Sequence, residues 1–454
     1  MKETVDKQRT FFAEGHTKPL PFRIETLQRL HEAIVAYEPR INDALKQDLN
    51  KSAFDAYASE VGPCLAEIRY MTGNLKKWAA PKRLGGSMLF PLSSASVMCE
   101  PLGQALIICP WNYPFRLSIL PLIASIAAGN CTILKPSEVS GHTEKVIADM
   151  IGEYIDESVV SVACGGAEVC TELLNERFDH ILYTGNEQVA RIVSAAAARH
   201  LTPVTLELGG KSPCIVDRNC DLAKTAKRIT WGKFVNAGQT CVAPDHLFVD
   251  KALKEELVDE IKKAVATFYG PDPAQSDDYG RIINQRHFDR VTGFLNEGEI
   301  LFGGESDRET LYVAPTLMQY CPREATICNE EIFGPILPVV EFDELPEVIE
   351  AINRKPKPLA LYIFSRDKEF QRQIVSRTSS GAVCINDATV HLSRADLPFG
   401  GVGNSGYGRY HGRAGFETFS NKKSLFRQTN LFDIPKRYPP TDSVGLGLIK
   451  RIIK

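Results

Sequence analysis

The chain is poor in the features that would mark a secreted, metal-binding or membrane-spanning protein. Its twelve cysteines include no C-x-x-C pair, and no Cys/His group has zinc-ligand spacing, so no metal site is expected. The opening MKETVDKQRT is charged, and no apolar signal core follows it. No run approaches the roughly 20 apolar residues that span a bilayer. Low-complexity tracts and internal repeats are missing. A net charge of −3 supplies no bulk attraction for nucleic acid or anionic membrane. These absences point to a reducing, cytoplasmic setting with free, mostly buried thiols and no nucleic-acid partner.

What is present is an ordinary globular composition, 44% hydrophobic and 24% charged over 454 residues. That length accommodates about three domains or subdomains. Residues 21–49 carry a helical stripe (Leu27, Leu30, Ile34, Leu45) punctuated by Pro39, and 52–78 continue as amphipathic helix. Residues 81–98 lose that period and read as a linker or a hairpin leaving the body of the domain. Short apolar runs at Ala105–Cys109, Cys131–Leu134, Val159–Ala163, His180–Tyr183 and Val204–Leu206 then alternate with helical patterns, which predicts a doubly wound parallel sheet. A second alternation follows, with strands expected at Cys214–Val216, Leu247–Val249, Leu337–Val340, Leu361–Phe364 and Ala382–Ile385. The fold class is therefore α/β, with two doubly wound units. Beyond about residue 398 the chain is Gly-rich, then polar and extended. The last segment, Val444–Lys454, reads as a short basic amphipathic stretch, better suited to packing or fraying than to membrane contact.

The only literal G-x-G-x-x-G, Gly401–Gly406, lacks the preceding strand and following helix of a dinucleotide fingerprint. It reads instead as a tight loop bringing backbone close to a neighbour. Four other strand-to-loop junctions carry chemistry. Asn112, in Pro110-Trp111-Asn112-Tyr113-Pro114, offers an amide donor for an oxyanion, or closes an Asx-turn. Lys135 and Glu138 can grip ribose hydroxyls, or form a solvated ion pair. Gly185 and Asn186 precede a helix whose N-terminus suits a pyrophosphate, Asn186 also being a natural cap. Glu207 ends a strand before two glycines, and Cys241 follows the Gly-bearing turn Asn236-Ala237-Gly238-Gln239-Thr240. A cysteine nucleophile needs partial exposure and positively polarised surroundings. Most other cysteines, such as Cys109, Cys131 and Cys384, lie in apolar runs and read as core.

In order along the chain, PWNYP (110–114), ILKPSE (133–138), YTGN (183–186), LELGGKSP (206–213), NAGQTC (236–241), EEIFGP (330–335) and LPFGGVGNSGYGRYHG (397–412) resemble the aldehyde dehydrogenase superfamily, most of all its class 3 branch. The resemblance implies a cofactor-binding domain at 1–82 and 99–207 and a catalytic domain at 208–400. It further implies bridging or oligomerisation segments at 83–98 and 401–430, a tail at 431–454, and a homodimer. It assigns Cys241 as nucleophile, Glu207 as general base and Asn112 as oxyanion donor. Lys135, Glu138, Gly185, Asn186, Glu331, Phe333, Trp111 and Leu208 become cofactor contacts. The implied reaction is NAD(P)-dependent oxidation of an aldehyde to an acid, with NAD preferred and NADP tolerated. One departure stands out: Ala190 occupies the place of a second glycine after Gly185. Rival readings are a CoA-acylating relative, a cysteine protease using His246, and a non-enzymatic scaffold of the same family.

Overall fold

The computed structural model describes residues 1–454 apart from 87–89, 91, 320, 323, 432, 434, 436, 437, 441 and 454, and only the backbone of 448, 452 and 453. Parts of the expected segments 83–98 and 444–454 therefore lie outside the described residues.

The first sheet has five parallel strands, in spatial order Val204–Glu207, His180–Thr184, Gln104–Ile108, Cys131–Lys135 and Val160–Val162. Gln104–Ile108 and Cys131–Lys135 are buried at every position, which is why they read as continuous apolar runs rather than alternations. The chain enters at the central strand, winds to one edge, then returns to the other side of the centre. That reversal opens a crevice beyond the carboxyl ends of Gln104–Ile108 and His180–Thr184, where doubly wound sheets bind ligands. A sixth, antiparallel strand, Gly406–Tyr407, closes the edge with Gly406 opposite Glu207. The false fingerprint is thus a loop seated against the end of the Glu207 strand.

The second sheet runs Glu299–Phe302, Thr316–Gln319, Ile336–Phe342, His246–Asp250, Pro213–Val216, Ala360–Phe364 and Ala382–Ile385, parallel except for its first strand. All five expected strands are in it. The first two were not anticipated: Glu299–Phe302 is exposed or only half-buried, and Thr316–Gln319 has just two apolar residues between polar ends. Four helices were also unforeseen, Lys2–Ala13, Gln285–Gly293, Thr326–Asn329 and Gly412–Thr418, the last correcting the expectation of extended chain beyond residue 398. Lys2–Ala13 buries only Val5 and Gln8, too thin a stripe to give a period. Pro39 does not interrupt Leu20–Leu49. Pro39 and Val35 are both exposed, so water can satisfy the Val35 carbonyl that loses its partner.

A third sheet pairs Ser94–Pro101 with Ser420–Arg427 over eight residues, with Lys82–Arg83 on its other edge. The terminal helix Ser443–Ile453 keeps Val444, Leu446 and Ile449 exposed, so these side chains do not pack on the body as expected. No described helix is long and apolar enough to cross a membrane.

One buried ion pair fixes how the first sheet presents its central loop. Lys51 Nζ and Glu60 Oε1 lie 2.7 Å apart with both side chains fully excluded from solvent. Glu60 Oε2 accepts from the N–H groups of Phe115 (3.1 Å) and Arg116 (2.9 Å), at the start of helix Arg116–Ala128. Such groups have no intrahelical partner. Lys51 Nζ also sits 4.0 Å from the centroid of the Tyr113 ring. Burial pushes the Glu60 carboxyl up, and Lys51 and the Arg116 N–H oppose that push. Glu60→Ala leaves the Lys51 ammonium buried and unpaired, with an expected loss of about 3–5 kcal/mol. Thermal or urea unfolding checks this; a midpoint unchanged from wild type would refute the anchoring role.

Candidate active site

The turn Val235–Gly238 follows helix Leu222–Phe234 and delivers Cys241. Asn236 (φ 54°), Ala237 (φ 50°) and Gly238 (φ 73°) are all left-handed, a conformation that strains L-residues by about 1–3 kcal/mol each. Hydrogen bonds hold it. Gln239 Nε2 donates to Asn236 O (3.0 Å) and Arg281 O (2.9 Å), while its Oε1 accepts from Ile283 N (3.0 Å). A Cβ at Gly238 would lie 2.3 Å from Gly334 O, so no other residue fits there.

Asn112 is buried, and its Nδ2 donates to Gln239 O (3.0 Å). In return Asn236 Nδ2 donates to Asn112 O (2.7 Å). Tyr113 Oη and Thr240 Oγ1 share a hydrogen bond of 2.8 Å. The loop from the first sheet is thereby tied to the turn from the second. A planar amide has two N–H groups, and Gln239 O takes one. The turn-closing alternative for Asn112 gives way to this cross-sheet contact.

Cys241, Glu207, Tyr113, Thr240 and Arg116 line one cavity of about 150 Å³. Leu117, Trp231, Phe399 and Tyr410 supply much of its apolar wall. Burial drives the Cys241 thiol up to about 12, and the Glu331 and Glu207 carboxyls add to the rise. Arg116 opposes it. The expectation of positively polarised surroundings for Cys241 is therefore corrected: at rest it is a thiol facing acids. The expectation for the other cysteines is corrected as well. Cys64, Cys109, Cys131 and Cys214 are buried, but Cys164 is exposed and six more, including Cys384, are partly open.

Glu207 ends its strand inside the protein, with neither carboxylate oxygen hydrogen-bonded to another described residue. Burial raises its pKa well above the usual carboxylate range, and Arg409 only partly offsets this. An unsatisfied buried carboxyl facing a cavity is a place for water or a ligand. Glu331 stands close to the Gly209–Gly210 backbone; a Cβ on Gly209 would fall 2.2 Å from its Oε2. Burial and Asp245 push Glu331 up to about 8, against the Gly210 N–H.

The other expected contacts fall on the ligand edge of the first sheet. Lys135 is buried and donates to Pro136 O and Glu138 Oε2, both at 2.8 Å. Asn186 Oδ1 caps helix Glu187–Ala198 through Val189 N (2.9 Å), and Gly185 N donates to Glu207 O (3.0 Å). Ala190 is buried in one cluster with Leu206 and Leu208, so its extra methyl is accommodated. Trp111 meets Phe333 edge to face at 5.4 Å. Lys135 and Glu138, the helix N-terminus and the Trp111–Phe333 pair together match the hydroxyls, phosphates and planar ring of a dinucleotide. His246 pairs with Asp245 (3.2 Å) and is not among the cavity-lining residues. That removes the protease reading. Residues unforeseen as parts of the site are Lys51, Glu60, Arg116, Arg281 and Arg409; nothing local in the sequence ties them to it.

A model of the aldehyde dehydrogenase family matches residues 1–425. The chain belongs to the aldehyde dehydrogenase family. It is 46% identical to an aldehyde dehydrogenase of Canis lupus familiaris described as dimeric and NADP-preferring, covering 97% of this chain and 98% of that one. It is 45% identical to aldehyde dehydrogenase family 3 member B1 of Rattus norvegicus, over 99% and 96% of the two chains. Among solved structures, a substrate-bound Staphylococcus aureus AldH superposes with a TM-score of 0.98 at 41% identity, covering 100% and 99%. An NAD-dependent aldehyde dehydrogenase of Sinorhizobium meliloti gives 0.87 at 27%, over 96% and 88%.

The tight turn before the Cys241 thiol makes Gly238 a sensitive backbone position of this aldehyde dehydrogenase site. Gly238→Ala forces a Cβ into Gly334 at a left-handed φ, with an expected stability loss of about 1–3 kcal/mol and a larger fractional loss of turnover. Unfolding midpoints and initial rates measured on the same preparation check it; full activity would overturn the turn's role.

Proposed function

We propose that the enzyme oxidises an aldehyde to a carboxylic acid through a thiohemiacetal and a thioester on Cys241. The observation that carries this reading is the meeting of Cys241, the unsatisfied Glu207 carboxyl and the Asn112 amide loop at one apolar cavity. Residues 1–82 and 99–207 form the cofactor-binding domain in this reading, and 208–400 the catalytic domain. Segments 83–98 and 401–430 bridge subunits, and 431–454 form a tail.

Cys241 adds to the aldehyde carbon as a thiolate. With a resting pKa of about 12, the thiol must give up its proton as substrate and cofactor enter, and Arg116 is the cation that favours the charged form. Asn112 Nδ2 and the Cys241 backbone N–H steady the oxyanion, a donor of this kind contributing roughly 3–4 kcal/mol. A bound nicotinamide supplies the hydride acceptor. Glu331 and the Trp111–Phe333 pair hold the cofactor's nicotinamide end; Lys135 and Glu138 hold the adenosine ribose. Leu208 follows the Glu207 strand end at the same edge, and Gly185 and Asn186 face the pyrophosphate. Glu207 takes a proton from water as that water opens the thioester. A base for hydrolysis favours an acid product over an acyl-CoA.

NAD is preferred in this reading because Glu138 opposes a 2′-phosphate. NADP is tolerated because Lys135, 2.8 Å away, already balances that charge. A kcat/KM comparison decides; a strong NADP preference defeats it. The eight-residue pairing of Ser94–Pro101 with Ser420–Arg427 supports a homodimer bridged by this sheet. Light scattering tests that, a monomer mass refuting it. A cytoplasmic location is part of the same reading, tested by cell fractionation, and recovery in the membrane pellet would contradict it.

Cys241→Ala should remove dehydrogenase activity; retention of more than about a hundredth of the rate, well above what loss of a covalent nucleophile leaves, overturns the assignment. Glu207 acts only once ionised, and its pKa is raised, so the active fraction grows as pH rises. Thioester hydrolysis should therefore climb from mildly acidic to alkaline pH. Glu207→Gln should show one burst of NADH, a trapped acyl-enzyme and no such climb. Wild-type turnover in that variant would shift the base to Glu331.

A further inference from the structure

Outside the catalytic cavity, one pair of thiols stands apart. Cys321 and Cys328 are both partly open to solvent, and Cys328 Sγ donates to Cys321 O (3.9 Å) while Cys321 Sγ donates to Gln319 O (3.9 Å). The neighbouring Cys321 side chain, Lys355 and Lys211 favour the Cys328 anion, against burial and Asp245. Cys328 is consequently lowered to about 7 while its partner is raised. This is the low-pKa, cation-flanked setting of a reactive cysteine, and it is the setting Cys241 lacks.

The pair sits on the segment leading to Glu331, and that segment is clamped at several points. Lys211 Nζ donates to Ile327 O (2.7 Å) and Glu330 O (2.8 Å) while pairing with Asp245 (2.6 Å). Asp245 Oδ1 accepts from Ile332 N (2.9 Å). Lys355 Nζ donates to Cys328 O. Arg290 donates to Glu331 O (3.2 Å) and Ile332 O (2.7 Å). A covalent bond between Cys321 and Cys328 acts directly on backbone that these contacts place against Glu331.

We propose that Cys321 and Cys328 form a hydroperoxide-sensitive modification site whose oxidation to an intramolecular disulfide displaces Glu331 and weakens cofactor binding. The Cys328 thiolate attacks the distal peroxide oxygen. The O–O bond breaks, an S–O bond forms, and the alkoxide leaves as alcohol after taking a proton from solvent. Cys321 then attacks that sulfur. The S–S bond forms, the S–O bond breaks, and hydroxide leaves as water with the Cys321 proton. Two electrons pass from the two sulfurs to the peroxide, and a dithiol reductant reverses the change. The effect on the cofactor rests on the role proposed above for Glu331; the chemistry of the pair does not.

The test separates the two. Arg323 lies between the cysteines, so trypsin puts Cys321 on peptide 309–323 and Cys328 on 324–354, each with no other cysteine. Brief treatment of the full chain with a stoichiometric alkyl hydroperoxide, then alkylation and non-reducing digestion, should yield these peptides linked, ahead of any oxidation of Cys241. Cys321→Ser should instead accumulate a dimedone-reactive sulfenic acid on Cys328. Separate, fully alkylated peptides would overturn the site. NAD affinity, titrated by fluorescence, should fall about tenfold in the linked protein, the scale of one weakened charge-assisted hydrogen bond, and recover with dithiothreitol. Cys328→Ser should bind NAD normally and ignore peroxide. Linked peptides with unchanged NAD affinity would overturn the coupling to Glu331. Failure of the reduced protein to bind NAD at all would instead count against the proposed function.

Discussion

The site depends on a short set of hydrogen bonds that ties a loop of one sheet to a turn of the other. Asn112 Nδ2 reaches Gln239 O, Asn236 Nδ2 reaches Asn112 O, and Tyr113 meets Thr240. These contacts hold the left-handed turn that presents Cys241, and they fix Asn112 beside it. The Lys51–Glu60 pair supports the same loop from behind, by capping the helix that follows and by facing the Tyr113 ring. Backbone strain, a buried ion pair and an amide thus serve one placement.

Around that placement the chemistry is governed by desolvation. Glu207, Glu331 and Cys241 are each pushed toward their neutral forms by burial, and the carboxyls raise the thiol further. A resting site of neutral acids is stable in an apolar cavity, whereas three adjacent anions would not be. In the proposed mechanism, charge appears in sequence, first on sulfur, then on the oxyanion, then on Glu207. Arg116 favours the charged form of Cys241 and Arg409 that of Glu207, and in that mechanism Asn112 meets the oxyanion. At Cys328 the balance reverses. Lys211 and Lys355 surround Cys328, and a thiol with no part in the reaction becomes the more acidic one.

The alternation of apolar runs with helical segments was legible because both faces of each parallel strand are buried, leaving continuous hydrophobic stretches. Thr316–Gln319 and Lys2–Ala13 were not legible, because one has just two apolar residues between polar ends and the other buries two side chains. Pro39 misled for a related reason: its effect depends on which face of the helix meets water. Local spacing sufficed to place Lys135, Glu138, Gly185 and Asn186 at strand ends. Lys51, Glu60, Arg116 and Arg409 were not, since their relation to the cavity arises only from packing between distant segments.

By itself, the sequence determined the two doubly wound units, the strand ends where chemistry gathers, and the candidate trio Asn112, Glu207 and Cys241. The units and strand ends follow from local pattern and short spacings, which chain geometry translates directly into position; the trio follows from the ordered resemblance to a known family. Tertiary structure alone decided which of those groups are charged and which cysteine is acidic. Protonation depends on solvent access and on charges brought from far along the chain, and no local window of sequence contains either.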